Sequence, residues 1–177
     1  MKIGDRSERT RRLSTCAMLS ALGVVVLYLG SVIEVLDISM AVIASLFAIF
    51  AVIEYSAGYA WSIYAITSVL SAILLPNKFP ALMYILFFGF YPIIKEKIEN
   101  RRHKIVEWVL KELIFNACLI VLMLLGNYVL MIDMRAWFVM EVLFFLLANG
   151  TFVIYDIALT RLISFYIFRL RKKLRIK

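Results

Sequence analysis

Long apolar stretches alternate along this chain with short polar breaks. Each stretch approaches the length of about 20 residues that a helix needs to cross the hydrocarbon core of a bilayer. None shows the strict alternation of a membrane β-barrel strand, and the prolines of "PNKFP" at 76–80 mark a clear break. The pattern predicts an all-α polytopic membrane protein with six transmembrane helices. Their predicted ranges are Leu13–Ile33, Ile38–Ile53, Ala57–Leu75, Pro80–Ile94, Ile105–Ile132 and Trp137–Phe168.

The basic residues cluster beside the ends of these stretches. Five Lys or Arg precede the first stretch, six fall within 95–111 and seven follow from Arg161 onward, whereas the intervening loops hold only Lys78 and Arg135. Because cytoplasmic loops are enriched in Lys and Arg, this asymmetry predicts cytoplasmic N- and C-termini and an even number of helices. It also favours lipid head groups over nucleic acid as the partner of the positive charge. No linker divides residues 1–177, so we expect one transmembrane domain.

Composition excludes a soluble domain, because 64% of the residues are hydrophobic and the mean hydropathy is +0.92. The only histidine is His103, and Cys16 and Cys118 lie inside apolar stretches, so no metal site is predicted. The sequence has no HExxH, GxSxG or P-loop motif. We therefore expect no enzyme activity and no cofactor, and any active transport would draw its energy from a partner or an ion gradient. A polar pair of Glu54 and Asp156 leaves an intramembrane enzyme as the catalytic alternative.

Polar and aromatic residues lie near the predicted outer ends of the helices. Such residues are candidates for lining a pocket that faces outward and binds a small solute, because polar groups in membrane spans are costly and often functional. The alternative is that the loop charges are solvated, that Trp137 is an interfacial anchor and that Glu141 and Asn149 make buried polar contacts. The candidate substrate-binding residues are Tyr28, Glu34, Asp37, Tyr84, Asn127, Tyr128, Trp137, Glu141 and Asn149.

The first apolar stretch opens with small residues in "STCAMLSALG", at 14–23. Ser14, Ala17 and Ala21 are spaced three and four apart, which places them on one helix face. Small residues let helix backbones approach closely in a membrane. The face therefore predicts close packing, either within the protein or against another protein.

The whole chain resembles the S components, the substrate-binding subunits of energy-coupling factor transporters. The resemblance is carried by the size, by six helices with both ends inside, by the basic tail "RSERTRR" and by Ala17 and Ala21 in "AMLSA". It implies that the small face docks on a coupling transmembrane subunit driven by two ABC ATPases. It further implies uptake of a vitamin-like micronutrient across a bacterial cell membrane. The first outer loop, "EVLDIS", is shorter than the substrate lid of many S components.

A scaffold is the second hypothesis from the sequence. The rod-shape-determining membrane protein of the cell-wall elongation machinery is similar in size, helix count and basic tail. Such a protein binds other proteins and no solute. Its outer polar residues would not converge on a pocket.

Overall fold

A computed structural model describes the backbone of residues 3–99, 104–129 and 138–170, and the side chains of 8–33, 35–99, 104–125 and 143–169. Six of the described helices are long and apolar enough to cross a membrane, which confirms the predicted all-α fold. Helices suit a bilayer because they satisfy every backbone hydrogen bond internally. The elements are α1 (Ile3–Val32), a 3₁₀ turn (Glu34–Leu36), α2 (Asp37–Glu54), α3 (Ala57–Leu74), α4 (Phe79–Met83), a π-helical turn (Tyr84–Phe88), α5 (Tyr91–Glu99), α6 (Lys104–Val129), α7 (Phe138–Phe165) and a final π-helical turn (Tyr166–Leu170).

Helix α1 begins at Ile3, ahead of the predicted start at Leu13. The added segment is rich in Arg and Glu, which are good helix formers. Glu8 and Arg12 also form an ion pair at 3.6 Å with helical i, i+4 spacing. The basic tail is therefore a helical extension of the first span. The predicted end points Ile132 and Trp137 lie outside the described residues.

The fourth span consists of α4, the π-helical turn and α5. Within the turn, the Gly89 N–H donates to the Tyr84 carbonyl at 2.8 Å, five residues back. A side chain at Gly89 would not fit, since an added Cβ would lie 2.5 Å from Tyr64 Cδ2. Pro92 follows and has no N–H to donate. Pro92 is the second residue of α5, where a backbone N–H has no helical acceptor, so the proline fits the start of this helix.

The chain divides into two compact units, Met1–Lys111 and Glu112–Lys177. In the first unit, α1, α2 and α3 pack against one another. The face of α2 that packs inside the unit is built from alanines, with Ala41, Ala44, Ala48 and Ala51 all buried. Alanines at this spacing allow close helix approach, as expected for packing in lipid.

Helix α1 approaches its neighbours most closely at two glycines. A Cβ at Gly30 would lie 2.8 Å from Met40 Cβ on α2, and one at Gly23 would lie 3.2 Å from Thr67 Cγ2 on α3. The first distance is too short for real Cβ contacts, so only glycine fits at position 30. The two glycines thus set the spacing between α1 and the rest of the unit.

The second unit contains the later part of α6 together with α7. The rings of Phe115 and Phe152 stack with centroids 4.5 Å apart and planes 8° apart. One position further along α6, Asn116 Nδ2 donates to Asn149 Oδ1 at 3.0 Å. The pairings 115 to 152 and 116 to 149 run in opposite directions, so the two helices are antiparallel here.

Candidate functional site

Helix α1 carries two different sets of small residues. Cys16, Ser20 and Gly23 are buried inside the first unit. The Ser20 carbonyl accepts a hydrogen bond from Thr67 Oγ1 at 3.5 Å, so this inner set faces α3. The sequence analysis did not single out this inner set, although its i, i+4, i+7 spacing is visible in the sequence.

The predicted docking residues form the other set, called here the outward small face: Ser14, Ala17 and Ala21. All three are exposed. Beside them, Met18 is 60% exposed and Leu22 is 43% exposed. The described part of the chain does not use this face for its own packing, so the face is available to lipid or to another protein.

The turn between α1 and α2 meets the turn after α3 through polar side chains. The Asn77 N–H donates to Ser31 Oγ at 2.9 Å, and Ser31 Oγ donates to the Asn77 carbonyl at 3.2 Å. Asn77 Nδ2 also reaches Asp37 Oδ2, at 3.4 Å. The buried candidate Asp37 is thereby held in a network that ties the two turns together.

Lys78 contacts the end of α3 in the same region. Its Nζ donates to the carbonyls of Ala72, Ile73 and Leu75 at 2.9, 3.3 and 2.6 Å. These carbonyls end α3, where backbone acceptors have no helical partner and a positive charge is favourable. Lys78 therefore caps the helix.

Tyr84 is the most deeply buried of the candidates whose side chains the structure describes, with no exposed surface. Its ring lies 6.1 Å from that of Tyr64. Tyr64 donates its hydroxyl to the Ile85 carbonyl at 2.9 Å. The Tyr84 hydroxyl lies near Thr67, but no described residue meets the geometry of a hydrogen bond to it. The Tyr84 hydroxyl is thus a buried polar group that has no hydrogen-bond partner among the described residues.

The remaining candidates do not join this cluster. Tyr28 is 47% exposed on α1, and Asn149 pairs with Asn116 in the second unit. Trp137 and the side chains of Glu34, Asn127, Tyr128 and Glu141 lie outside the described residues. That the nine candidates bind one solute stays a prediction.

A buried ionic cluster joins the end of α5 to the start of α6. Lys95 and Lys111 are each only 1% exposed. Both Nζ atoms contact Glu99 Oε1, at 2.5 and 2.8 Å, and Lys111 Nζ also contacts Glu107 Oε1 at 2.8 Å. The sequence analysis did not identify this cluster. The i, i+4 spacings of 95 to 99 and 107 to 111 were its only signal, because nothing in the sequence brings the two helices together.

Among the described residues, no group of three or more His, Cys, Asp or Glu side chains could hold a metal ion. Comparison with protein-family models, with curated proteins and with solved structures finds no match. The six apolar helices define the class to which the chain belongs, that of multi-pass helical membrane proteins.

Proposed function

We propose that this chain is the substrate-binding subunit, or S component, of an energy-coupling factor transporter in a bacterial cell membrane. The observation that supports the proposal is the exposure of Ser14, Ala17 and Ala21. In this role, the outward small face contacts the coupling transmembrane subunit, and two separate ABC ATPases supply the energy. The predicted outer pocket binds a vitamin-like solute before release on the cytoplasmic side.

The physical reason is specific to membranes. Lipid tails are as apolar as leucine, so burial from water does not drive one helix onto another within the bilayer. Association depends on close van der Waals contact, and small residues permit it. Large side chains would meet lipid equally well at Ser14, Ala17 and Ala21, so a close protein neighbour explains the residue sizes better than lipid alone.

Bulky substitutions on the outward small face test the docking role. We expect Ala17→Trp and Ala21→Trp to abolish recovery of the coupling subunit and both ATPases when the tagged protein is purified from its native membrane. Val69→Trp is the matched control, because Val69 is 59% exposed on α3 and lies away from the face. Size-exclusion chromatography checks that each variant is folded. Folded variants that retain the complex would contradict the docking role.

Solute binding is tested separately from docking. Each candidate micronutrient is added to the purified protein, and binding is followed by the intrinsic tryptophan fluorescence. We expect Glu141→Ala to weaken binding while the complex with the coupling subunit remains intact. Unchanged affinity would remove Glu141 from the site.

One observation favours the scaffold hypothesis. Asn77 bonds to both Ser31 and Asp37 across the two turns, so these polar groups have a structural role that does not require a solute. Under this hypothesis, purification from the native membrane would recover cell-wall synthesis or cytoskeletal proteins in place of the ATPases.

A further inference from the structure

Two buried oxygen atoms lie one helical turn apart on α6. They belong to Glu112 and Asn116, and residues at this spacing share one face of a helix. Glu112 Oε2 and Asn116 Oδ1 are both shielded from solvent, and neither accepts a hydrogen bond from any described residue. Leaving a buried acceptor without a donor costs about 1–3 kcal/mol, and more for a charged group. Two such atoms on residues one helical turn apart require an explanation.

The surrounding hydrogen bonds fix the orientation of both amides. Asn149 Nδ2 donates to the Phe145 carbonyl at 2.8 Å, so its oxygen is turned toward Asn116. Asn116 Nδ2 donates to that oxygen at 3.0 Å and to the Glu112 carbonyl at 2.9 Å. Exchanging O and N in Asn116 would place an oxygen against two acceptors. The network therefore assigns Asn116 Oδ1 as the atom that needs a donor.

A proton on Glu112 satisfies both oxygens together. A carboxylate only accepts hydrogen bonds, whereas a carboxylic acid also donates one. We propose that Glu112 and Asn116 form an intramembrane proton-binding site, in which protonated Oε2 of Glu112 donates to Oδ1 of Asn116. One O–H bond forms on Oε2 as a hydronium ion of the medium loses one O–H bond and becomes water, and the carboxylate charge is neutralised.

Two charged groups among the described side chains of these helices, Lys111 and Asp156, do not replace the proton. On α6, Lys111 makes ion pairs with Glu99 and Glu107. On α7, Asp156 is buried, and its carboxylate accepts hydrogen bonds, so it offers no donor to a second acceptor. A hard metal ion would need several oxygen ligands, and the described residues contain no cluster of acidic or metal-binding side chains. A proton needs neither extra ligands nor extra space.

The site is independent of the proposed transport role. Ionisable groups within membrane spans often act in proton transfer. Deprotonation would leave a charged carboxylate beside the amide oxygen of Asn116, and the two acceptors would repel. Proton binding at Glu112 thus favours the packing of α6 on α7 in the second unit.

Infrared spectroscopy of the full-length protein in lipid nanodiscs at neutral pH tests the site. We expect a carbonyl band of a protonated carboxylic acid above the amide I band. Labelling all glutamate side-chain carboxyls with ¹³C should move this band to lower wavenumber in the unaltered sequence. Absence of the band, or a band that labelling does not move, would overturn the proposal without requiring any variant.

Three variants assign the band. Glu112→Gln should remove it, and Glu96→Gln should leave it unchanged, because Glu96 is exposed at the end of the fourth span. Asn116→Leu should keep the band but move it to higher wavenumber, since the acid loses its hydrogen-bond acceptor. A band that survives in folded Glu112→Gln, or that does not move in Asn116→Leu, would contradict the assignment.

Discussion

Replacing Glu99 by Gln should destabilise the protein more than the same replacement at the exposed Glu8. The Glu99 carboxylate bridges two lysines that have almost no exposed surface. Both contacts use the same atom, Oε1, at 2.5 and 2.8 Å. Gln has nearly the same shape but no charge, so Glu99→Gln removes the carboxylate that contacts Lys95 and Lys111, while the contact of Lys111 with Glu107 remains.

The size of the effect follows from burial. Removing one partner of a buried ion pair typically costs about 3–5 kcal/mol, because the other charge stays buried and uncompensated. The Glu99 side chain is 33% exposed, which places the expected loss near the lower end, about 3 kcal/mol. Such a loss lowers the equilibrium constant for folding more than 100-fold, at 1.4 kcal/mol for each factor of ten.

Reversible unfolding in mixed detergent micelles, followed by tryptophan fluorescence, measures this loss. Glu8→Gln is the matched control, because it removes the same charge from an i, i+4 pair whose side chains are 66% and 41% exposed. Exposed pairs of this kind contribute about 0.3–0.5 kcal/mol. If Glu99→Gln lowers the free energy of unfolding no more than Glu8→Gln does, the cluster does not stabilise the protein as reasoned here.

Three further predictions concern helix packing, a tyrosine hydrogen bond and the orientation of the protein in the membrane. Gly30→Ala should lower the free energy of unfolding by about 1–3 kcal/mol through overpacking. Gly150→Ala should not lower it, since nothing lies within 4 Å of an added Cβ there. Equal effects of the two substitutions in thermal unfolding would contradict the close approach of α1 and α2 at Gly30. Tyr64→Phe should cost about 1 kcal/mol by removing a hydrogen bond, whereas Tyr84→Phe should cost none, and chemical unfolding of both distinguishes them. In a variant without its natural cysteines, Lys78→Cys should react with an impermeant maleimide added outside intact cells; labelling only after lysis would invert the predicted topology.

The six spans could be predicted because bilayer thickness imposes a length on every apolar stretch. The interruption in the fourth span could be predicted only in part. Pro80 and Pro92 are visible as helix breakers, but proline does not specify whether a helix stops, kinks or widens. The π-helical turn at Tyr84–Phe88 depends on Gly89 lying against Tyr64, which is a tertiary contact. Such contacts between distant residues are not encoded in local spacing.

The roles of the polar residues could likewise be predicted only in part from the sequence. The sequence singled out Asp37, in the predicted first outer turn, and Asn149, near the middle of the membrane, as polar candidates, and both have polar partners in the structure. It could not identify those partners, Asn77 and Asn116, since each lies on another part of the chain. A polar residue in a span therefore predicts a polar neighbour more reliably than it predicts a solute.

Helix α1 shows why residue size carries information that hydrophobicity does not. In a soluble protein, the polar side of a helix marks the solvent-facing surface. In a membrane, both the protein interior and the lipid accept apolar side chains, so that contrast is lost. Met18 and Leu22 are large and exposed, as lipid contact allows, whereas their neighbours Ala17 and Ala21 are small and also exposed. Lipid fills either surface, but only a second helix gains from the missing side-chain atoms. The outward small face is therefore the part of α1 whose composition the chain's own packing leaves unexplained, and the proposed docking on a partner would account for it.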